Sequence, residues 1–479
     1  MTTAASPWLG LGEVARVVGG AIDGAAPGET AFTACAIDSR ALEGGELFVP
    51  LPGTRADGHA FVPAALEAGA LGSLVGRDYA WPAGTRPAGK PLVRVDDPLR
   101  ALQALGSHCR ERSGVPAVGI TGSNGKTTTK EMIAAVLGTA RRVHKNAGNL
   151  NNHIGVPLSL TRLRPEHDVI VMEMGMSAPG EIRELAAMVR PSVGVLTIVA
   201  AAHLLQLGSL DAIADAKCEL ADAIPADGLL VVNGDDPYLV PRARTRPARK
   251  RFFALDRADA DLRPADVRVT AEGGTRFTLP DGTGVALALL GRHNVRNALA
   301  AILVGDEFGI PRARAAAALG ALRPTKHRLE LLDARGIAVL DDAYNANPAS
   351  MKAALELLDA IETRGERRAV LGDMLELGPS SAAFHEEVGR AVPKTAWLYA
   401  AGEFAAAIER GARAAGVPAA RARRFADVPA MAAAVVADAR PGDLVLVKAS
   451  RGMRLEQVVD ALIGGGAGAS SGLARAGRN

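Results

Sequence analysis

The chain has 479 residues, of which 48% are hydrophobic and 22% are charged, and at roughly 150 residues per domain this length predicts about three globular domains. Because 55 lysines and arginines stand against 52 acidic residues, the net charge is only +3, which argues against nucleic acid as a partner. No apolar stretch reaches the roughly 18 residues of a membrane span, so no membrane insertion is expected.

The three cysteines, Cys35, Cys109 and Cys218, lie far apart in the chain. Their odd number and wide spacing fit neither a disulfide framework nor a metal site, so we expect reduced thiols, as in a cytoplasmic protein. The first residues include no basic segment followed by an apolar run. The sequence therefore predicts no signal peptide.

Residues 1–97 are predicted to form a small α/β domain, with a helix over Leu11–Val18 and strands over residues 32–37 and 47–51. Polar loops follow both strands, at the ends where α/β sheets place their ligands. An arginine and a serine there would hold a diphosphate, although turn chemistry with a surface salt bridge explains the same pattern. The loop residues are Asp38, Ser39 and Arg40 after the first strand, and Asp57, Gly58 and His59 after the second.

A proline- and glycine-rich stretch over residues 81–91 predicts an exposed loop. Asp97 and Pro98 then begin a helix, with proline in its first turn. We place the first domain boundary there, so that residues 98–322 form the central domain.

The central domain contains a glycine-rich stretch that predicts a phosphate-binding loop. Residues 118–120 end a buried strand, a glycine turn follows, and residues 130–137 are predicted to be helical. A strand, a glycine loop and a helix N-terminus make a phosphate cradle, in which Lys126 adds a positive charge and a threonine hydroxyl reaches Mg²⁺. The residues of this loop are Gly122, Ser123, Asn124, Gly125, Lys126, Thr127 and Thr128.

The spacing differs from that of a general P-loop, since Ile120 stands where that loop has its first glycine. The form present is the shorter Thr-Gly-x-x-Gly-Lys-Thr-Thr. A plain glycine turn between a strand and a helix is the alternative interpretation.

Two features after the loop predict ligand contacts. Four asparagines lie within residues 146–152, which is dense for a turn, so some are expected to face a ligand; a solvated loop is the alternative. A buried strand over residues 168–172 ends at Glu173. A carboxylate there, facing the phosphate loop, suits Mg²⁺ directly or through water.

Further along, a predicted strand over residues 193–200 is followed by His203, and a predicted helix over residues 211–223 carries Lys217. Taken alone, His203 is explained by a satisfied core histidine, and Lys217 by a solvated lysine paired with an acid. The alternating pattern over residues 267–290 predicts an antiparallel hairpin region.

Residues 323–479 repeat a pattern of strand followed by polar loop, with helices such as residues 350–361 between the strands. This alternation predicts a parallel, doubly wound sheet. The tail after Ile463 is rich in glycine, alanine and serine and is predicted to be disordered. The predicted strands cover residues 337–340, 369–371, 398–400 and 444–447.

Three further stretches add distinctive residues: Asp341-Asp342-Ala343-Tyr344-Asn345-Ala346-Asn347-Pro348; Leu371-Gly372-Asp373-Met374-Leu375-Glu376-Leu377-Gly378 with His385; and Asn149-Leu150-Asn151-Asn152-His153-Ile154-Gly155-Val156-Pro157. With the phosphate loop they resemble the Mur ligases, the ATP-dependent amide ligases of peptidoglycan synthesis. The resemblance extends from Asp38 to about Val459. It is closest to the members that join D-alanyl-D-alanine to UDP-N-acetylmuramoyl-tripeptide, and the Asp-Asn-Pro-Arg motif of the members that add a diamino acid is absent from the sequence.

The resemblance implies an α/β fold of three domains: a small UDP-substrate domain (1–97), a central P-loop-like parallel-sheet ATPase domain (98–322) and a C-terminal Rossmann-like domain for the amine substrate (323–479). It implies that the phosphate loop holds ATP, that Asn294 contacts adenine, that Arg328 contacts a phosphate and that Asp342 contacts the ribose. Thr127, Glu173 and His203 would order Mg²⁺, and Lys217 matches a lysine that is carbamylated in several members. The residues implied in catalysis are Lys126, Glu173, His203, Lys217 and Arg328.

The remaining implied residues concern the two other substrates. The UDP-sugar would lie along Ser39, Arg40 and the loop of Asp57, Gly58 and His59. The dipeptide would face Lys448, Ser450 and Arg451. The other expected substrate contacts are Asn149, Asn151, Asn152, Asn345 and Asn347.

Three positions depart from the family pattern. Ile198 stands where an asparagine is usual, and Leu205 stands where an acid is usual, five residues before and two residues after His203. Because neither side chain forms hydrogen bonds, a polar contact to His203 has to come from elsewhere. Thr325-Lys326-His327 also replaces the usual Pro-Gly before Arg328.

Two other functions are compatible with parts of this pattern. One is a related ligase that adds a diamino acid or extends folylpolyglutamate, against which the Asn345-Ala346-Asn347-Pro348 stretch argues. The other is a nucleotide-binding protein that has lost catalysis, which Ile198 and Leu205 favour and the implied catalytic residues disfavour. The sequence leaves open whether the third peptide residue of the substrate is lysine or diaminopimelate, and the family precedent suggests a monomer.

Overall fold

The computed structural model describes residues 8–24, 30–53, 56–82, 84, 86–270 and 274–464. Three α/β parts follow one another along the chain, each built around its own main sheet. Some sequence-based predictions fall outside the described residues: those for the start of the chain, for residues 54 and 55, for parts of the 81–91 loop and for the tail beyond residue 464.

The N-terminal part has a five-stranded sheet that is parallel except for the antiparallel edge strand Ala21–Asp23. The predicted strand over residues 32–37 is wrong, because it is two short strands in different sheets. Ala31–Phe32 pairs antiparallel with Leu9–Gly10, whereas Cys35–Ala36 joins the main sheet. The other strands are Leu47–Phe48, Gly72–Gly76 and Leu92–Val95, and the helices are Leu11–Val18 and Val62–Glu67.

The long helix Pro98–Ser113 leads into the central part. Asp97 starts it, since its Oδ1 accepts hydrogen bonds from the backbone N–H groups of Leu99 at 2.8 Å and Arg100 at 3.2 Å. One side of this helix, including Leu102 and Leu105, packs into the core of the N-terminal part. The predicted boundary between residues 97 and 98 therefore lies at the start of a helix, and the domain limits stay predictions.

The central part has a six-stranded sheet in which every strand pair is parallel. Apolar clusters cover both of its faces, as expected for a parallel sheet whose crossover helices lie on both sides. In spatial order the strands are Arg249–Phe253, Leu229–Asn233, Val193–Leu196, Ala117–Thr121, Val169–Glu173 and Val143–Lys145. The helices are Lys126–Gly138, Gly155–Leu160, Glu181–Val189, Leu204–Leu207, Leu210–Asp222, Leu239–Arg244, Arg292–Glu307 and Arg312–Ala321.

Two sequence-based limits in the central part are corrected. The helix after the glycine loop begins at Lys126 rather than at residue 130. The strand predicted over residues 193–200 ends at Leu196, because the following backbone bends towards the glycine loop and bonds to it. The predicted hairpin region is present as an antiparallel sheet of Ala265–Val269, Thr275–Thr278 and Gly284–Leu287.

The C-terminal part has a second six-stranded sheet, again covered by apolar clusters on both faces. It is not wholly parallel as predicted, since the edge strand Glu330–Ala334 runs antiparallel to Ile337–Asp342. In spatial order the sheet continues with Leu444–Lys448, Arg367–Leu371, Trp397–Ala401 and Ala422–Phe425. The helices are Pro348–Ala360, Ser381–Arg390, Ala405–Ala414, Val428–Asp438 and Glu456–Gly464.

The two large sheets place the chemistry-bearing residues at their carboxyl ends, where open α/β sheets bind ligands. Glu173 ends a central strand, and Asp342 and Lys448 end two neighbouring strands of the C-terminal sheet. None of the helices in the described ranges combines the length and the apolar character needed to cross a membrane.

Candidate active site

A cavity of about 590 Å³ lies between the carboxyl ends of the central and C-terminal sheets. Its walls bring together most of the residues that the sequence singled out, although they come from segments more than 300 residues apart. The predicted residues that line it are Ser123, Asn124, Gly125, Lys126, Thr127, Thr128, Asn149, Asn151, Asn152, Glu173, His203, Lys217, Asn294, Arg328, Asp342, Asn345, Asn347, Lys448 and Arg451.

The glycine loop has the backbone that a phosphate cradle needs. Gly122 and Gly125 have φ of 155° and 81°, and a Cβ on Gly122 would lie 1.8 Å from Thr197 Oγ1, so glycine is required there. Lys126 Nζ donates to the Gly122 carbonyl at 2.7 Å. The loop therefore curls around its own lysine, at the N-terminus of the helix Lys126–Gly138.

The strand that ends early supports this loop. The Ser123 N–H donates to the Ile198 carbonyl at 2.7 Å, and the Thr197 hydroxyl donates to the Asn124 carbonyl at 2.6 Å. Ile198 thus serves the loop through its backbone while its side chain lines the cavity. Asn297, which the sequence analysis missed, lies against the other side, where its Oδ1 would meet a Cβ on Gly125 at 2.6 Å.

The Glu173 carboxylate is held rigidly beside the loop. It is 2% exposed, and it accepts hydrogen bonds from the Thr127 hydroxyl at 2.8 Å and from the Asn151 amide at 2.7 Å. Asn146, also missed, pairs with the Glu173 backbone through both ends of its amide. The dense asparagines of residues 146–152 were the feature of the sequence from which the role of Asn146 could have been predicted.

A hydroxyl and a carboxylate beside a phosphate loop form the donor set that Mg²⁺ takes together with substrate phosphates. Thr127 and Glu173 therefore fit this ion. In the described ranges no group of three or more His, Cys, Asp or Glu side chains could hold a metal by itself.

His203 gets its polar partner from the C-terminal part. Its Nδ1 lies 2.6 Å from Glu376 Oε2, and the Leu205 N–H donates to the Glu376 carbonyl at 3.1 Å. Burial lowers the pKa of His203, and the Glu376 carboxylate opposes that shift. Glu376 thus stands in for the polar neighbours that Ile198 and Leu205 do not provide.

Lys217 lies in the helix Leu210–Asp222, which Ser209 starts by accepting from the Ala212 N–H at 3.1 Å. It is 3% exposed, and burial lowers its pKa well below the ordinary lysine value, with the Lys126 charge acting in the same direction. Glu219 does not neutralise it, because that carboxylate accepts from the backbone N–H groups that start the helix Glu181–Val189. A solvated, acid-paired lysine is therefore excluded.

Asp342 and Lys448 form one buried unit. Lys448 is 2% exposed and donates to the Asp342 carboxylate and, at 2.9 Å, to the Asn345 carbonyl. Burial raises the pKa of Asp342, while Lys448 and Arg328 offset part of the rise. Resemblance assigned these two residues to different ligands, whereas the structure makes each the partner of the other.

The aromatic ring of Tyr344 lies beside two arginines of the cavity. The guanidinium carbons of Arg328 and Arg451 lie 4.0 Å and 5.0 Å from the centre of its ring, distances at which a cation is attracted to an aromatic face. Asn294 lies in the first turn of the helix Arg292–Glu307 and donates to the carbonyl of Leu290, just before that helix, at 2.8 Å.

Seven predicted residues do not line this cavity. Ser450 lies just behind it, where its hydroxyl accepts from the Leu375 N–H at 2.9 Å. In the N-terminal part, Arg40 pairs with Asp38 at 2.8 Å, and the His59 ring lies between Asp57 and the Gly76 N–H. The seven are Ser39, Arg40, Asp57, Gly58, His59, Gly122 and Ser450.

Asp342→Ala is expected to weaken ATP binding and to leave binding of the UDP-substrate largely unchanged. The substitution also leaves the buried charge of Lys448 without its carboxylate partner, which costs about 3–5 kcal/mol of stability. Asp342→Asn keeps an acceptor for Lys448, so it separates the two effects. Calorimetric titration of both variants with each ligand, next to their melting temperatures, checks this; selective loss of the UDP-substrate would contradict the domain roles.

Comparison with known families supports the same division into three parts. The Mur ligase family catalytic domain matches residues 31–109, the Mur ligase middle domain residues 120–305, and the Mur ligase glutamate ligase domain residues 327–451. The chain is 40% identical over 454 residues to the UDP-N-acetylmuramoyl-tripeptide–D-alanyl-D-alanine ligase of Bacillus subtilis (strain 168), covering 94% of this chain and 97% of that protein. The Escherichia coli (strain K12) enzyme of the same name is 35% identical, with 94% and 98% covered.

Solved structures are similar over the same length. MurF from Acinetobacter baumannii superposes with a TM-score of 0.83 at 29% identity, covering 97% of this chain and 100% of that one. MurF from Thermotoga maritima, solved in complex with ADP, gives a TM-score of 0.76 at 27% identity, with 90% and 97% covered.

Proposed function

This chain belongs to the Mur ligase family, and we propose that its cavity joins D-alanyl-D-alanine to UDP-N-acetylmuramoyl-tripeptide in an ATP-dependent reaction that yields the pentapeptide precursor of peptidoglycan. It is an ATP-dependent carbon–nitrogen ligase of the kind named for its relatives in B. subtilis and E. coli. The observation that carries the proposal is the phosphate loop of the central sheet, which faces the Asp342–Lys448 edge of the C-terminal sheet across one cavity.

The chemistry requires activation of a carboxylate. An amine does not displace oxide from a free carboxylate, so ATP first converts the tripeptide carboxylate into an acyl phosphate. Phosphoryl transfer depends mainly on positioning and on charge neutralisation. Lys126 and Arg328 face the same cavity, where they would hold the phosphate that is transferred.

The amine of D-alanyl-D-alanine then attacks the acyl carbon. The new C–N bond forms, the amine loses a proton, and the C–O bond to phosphate breaks. Cationic groups around the cavity stabilise the negative charge on the tetrahedral oxygen, and the C-terminal part contributes Arg328, Lys448 and Arg451 to its lining. Closure of the parts around the cavity keeps water from the acyl phosphate.

Mg²⁺, when bound, neutralises charge on the ATP phosphates. Thr127 and Glu173 would hold it, and His203 stands nearby with Glu376 behind its ring. The resemblance makes His203 a third metal residue, and that role stays part of the proposal.

Lys217 is proposed to carry a carbamate. Its lowered pKa leaves the amine neutral at a pH where free lysine is charged. The neutral nitrogen attacks carbon dioxide, an N–C bond forms, and a proton leaves the nitrogen. The product is an anion, which suits the surroundings of Lys126 better than a second ammonium.

The UDP-sugar is proposed to lie along Ser39, Arg40 and the Asp57–His59 loop of the N-terminal part. The dipeptide is proposed to reach Lys448 and Arg451. We further propose that the protein acts as a monomer in the cytoplasm, where ATP is available.

The test is phosphate release after ATP, UDP-N-acetylmuramoyl-tripeptide and D-alanyl-D-alanine are mixed with the protein. We expect release that requires all three, with the pentapeptide product identified by mass spectrometry. Release with a diamino acid or glutamate in place of the dipeptide would favour another ligase of the family. Binding of ATP with no release under any combination would favour a nucleotide-binding protein without catalysis.

A further inference from the structure

Two asparagines from different parts of the chain form a reciprocal pair inside the cavity. Asn124 Nδ2 donates to Asn347 Oδ1 at 3.1 Å, and Asn347 Nδ2 donates to Asn124 Oδ1 at 2.7 Å. Asn124 belongs to the phosphate loop of the central part, whereas Asn347 precedes the helix Pro348–Ala360 of the C-terminal part. Each amide thus offers one donor and one acceptor to the other.

Both residues are held in place by other bonds. Asn347 is 5% exposed, and its Oδ1 also accepts from the Ser350 N–H at 3.0 Å as the N-cap of its helix. The Asn124 backbone carbonyl accepts from the Thr197 hydroxyl at 2.6 Å. The pair therefore joins a fixed loop to a fixed helix end, and its two bonds require one relative position of the two parts.

We propose that Asn124 and Asn347 form a latch that holds the C-terminal part closed over the phosphate loop. The contacts of Glu376 with His203 and Leu205 also join the two parts, but they do not involve the loop. Through the amide pair, the position of the C-terminal part and the shape of the loop are coupled. The direct alternative is that the Asn124 amide binds ATP, as the sequence suggested.

The experiment measures domain separation by small-angle X-ray scattering of the full chain, without substrates and with ATP. Asn347→Ser removes the pair but keeps a side chain that starts a helix, and Asn124→Ala removes the other half. The double variant completes a cycle. Asp427→Ser is the matched control, because Asp427 starts the helix Val428–Asp438 in the same way and does not line the cavity.

The latch predicts that both single variants have a larger radius of gyration than the wild type or Asp427→Ser. Since two neutral hydrogen bonds are lost, the closed-to-open ratio should fall by about tenfold or more. The double variant should open no further than either single variant, and ATP affinity should fall equally in all three.

Other outcomes overturn the latch. These are an unchanged radius of gyration in both single variants, an additive effect in the double variant, or a loss of ATP affinity in Asn124→Ala alone. The last of these would show that Asn124 contacts the nucleotide. Because the first measurement uses no substrate, a failure of the latch is distinguishable from a failure of the proposed reaction.

Discussion

Lys126→Ala should abolish phosphate release while leaving the fold intact. The Lys126 ammonium donates to the Gly122 carbonyl, so the positive charge lies inside the phosphate loop itself. Removal of one preorganised charge-stabilising group costs about 10² to 10³-fold in turnover, and phosphoryl transfer depends almost entirely on such groups. We therefore expect a loss at the upper end of this range or beyond it.

Stability should not suffer in this variant. Burial lowers the pKa of Lys126, with Glu173 opposing and Arg328 reinforcing the shift. Holding the charged lysine in this site therefore reduces the free energy of unfolding, and its removal should not destabilise the protein. Lys394→Ala is a suitable control, since Lys394 is exposed and does not line the cavity. Near-normal phosphate release by purified, folded Lys126→Ala would show that the loop is not the phosphate site.

Lys217→Ala is expected to lose most activity, because the anion that the proposal places beside Lys126 is lost. Lys217→Arg should be no better, because a guanidinium restores a cation where the proposal requires an anion. Bicarbonate should rescue neither variant. Acetate should partly rescue Lys217→Ala, because a small carboxylate can occupy the place of the carbamate.

The modification itself has a separate readout. In ¹³C-bicarbonate, the wild type should show a carbamate carbon by NMR that is absent from Lys217→Ala. Full activity of Lys217→Arg, or no carbamate signal in an active wild type, would disprove the carbamate.

The lowered pKa of Lys217 also predicts a pH effect in protein free of carbon dioxide. Between its folded pKa and the ordinary lysine value, the unfolded chain binds the extra proton, so the free energy of unfolding should rise with pH across that window. Lys217→Met should remove this rise, which thermal unfolding at several pH values would reveal.

The phosphate loop was predictable because it is local. The glycines, the lysine and the start of the helix all lie within the run from Gly122 to Thr128, which is the local pattern that predicts such a loop. Glu173 was predictable for a similar reason, because the run of apolar residues before it marks the strand Val169–Glu173 that it ends. The strand limit at Leu196 was missed because its cause is a long-range contact with the loop.

The sequence by itself determined three α/β parts, a phosphate loop and the residue types that surround it, since period, turn chemistry and short motifs need only neighbours along the chain. Tertiary structure alone decided the partners. It pairs His203 with Glu376, Asp342 with Lys448 and Asn124 with Asn347, and it buries Lys217 with no ion-paired acid among the residues that the structure describes. These contacts join residues that lie 106 to 223 positions apart in the chain. They depend on how the chain folds in space, which cannot be predicted from short stretches of the sequence.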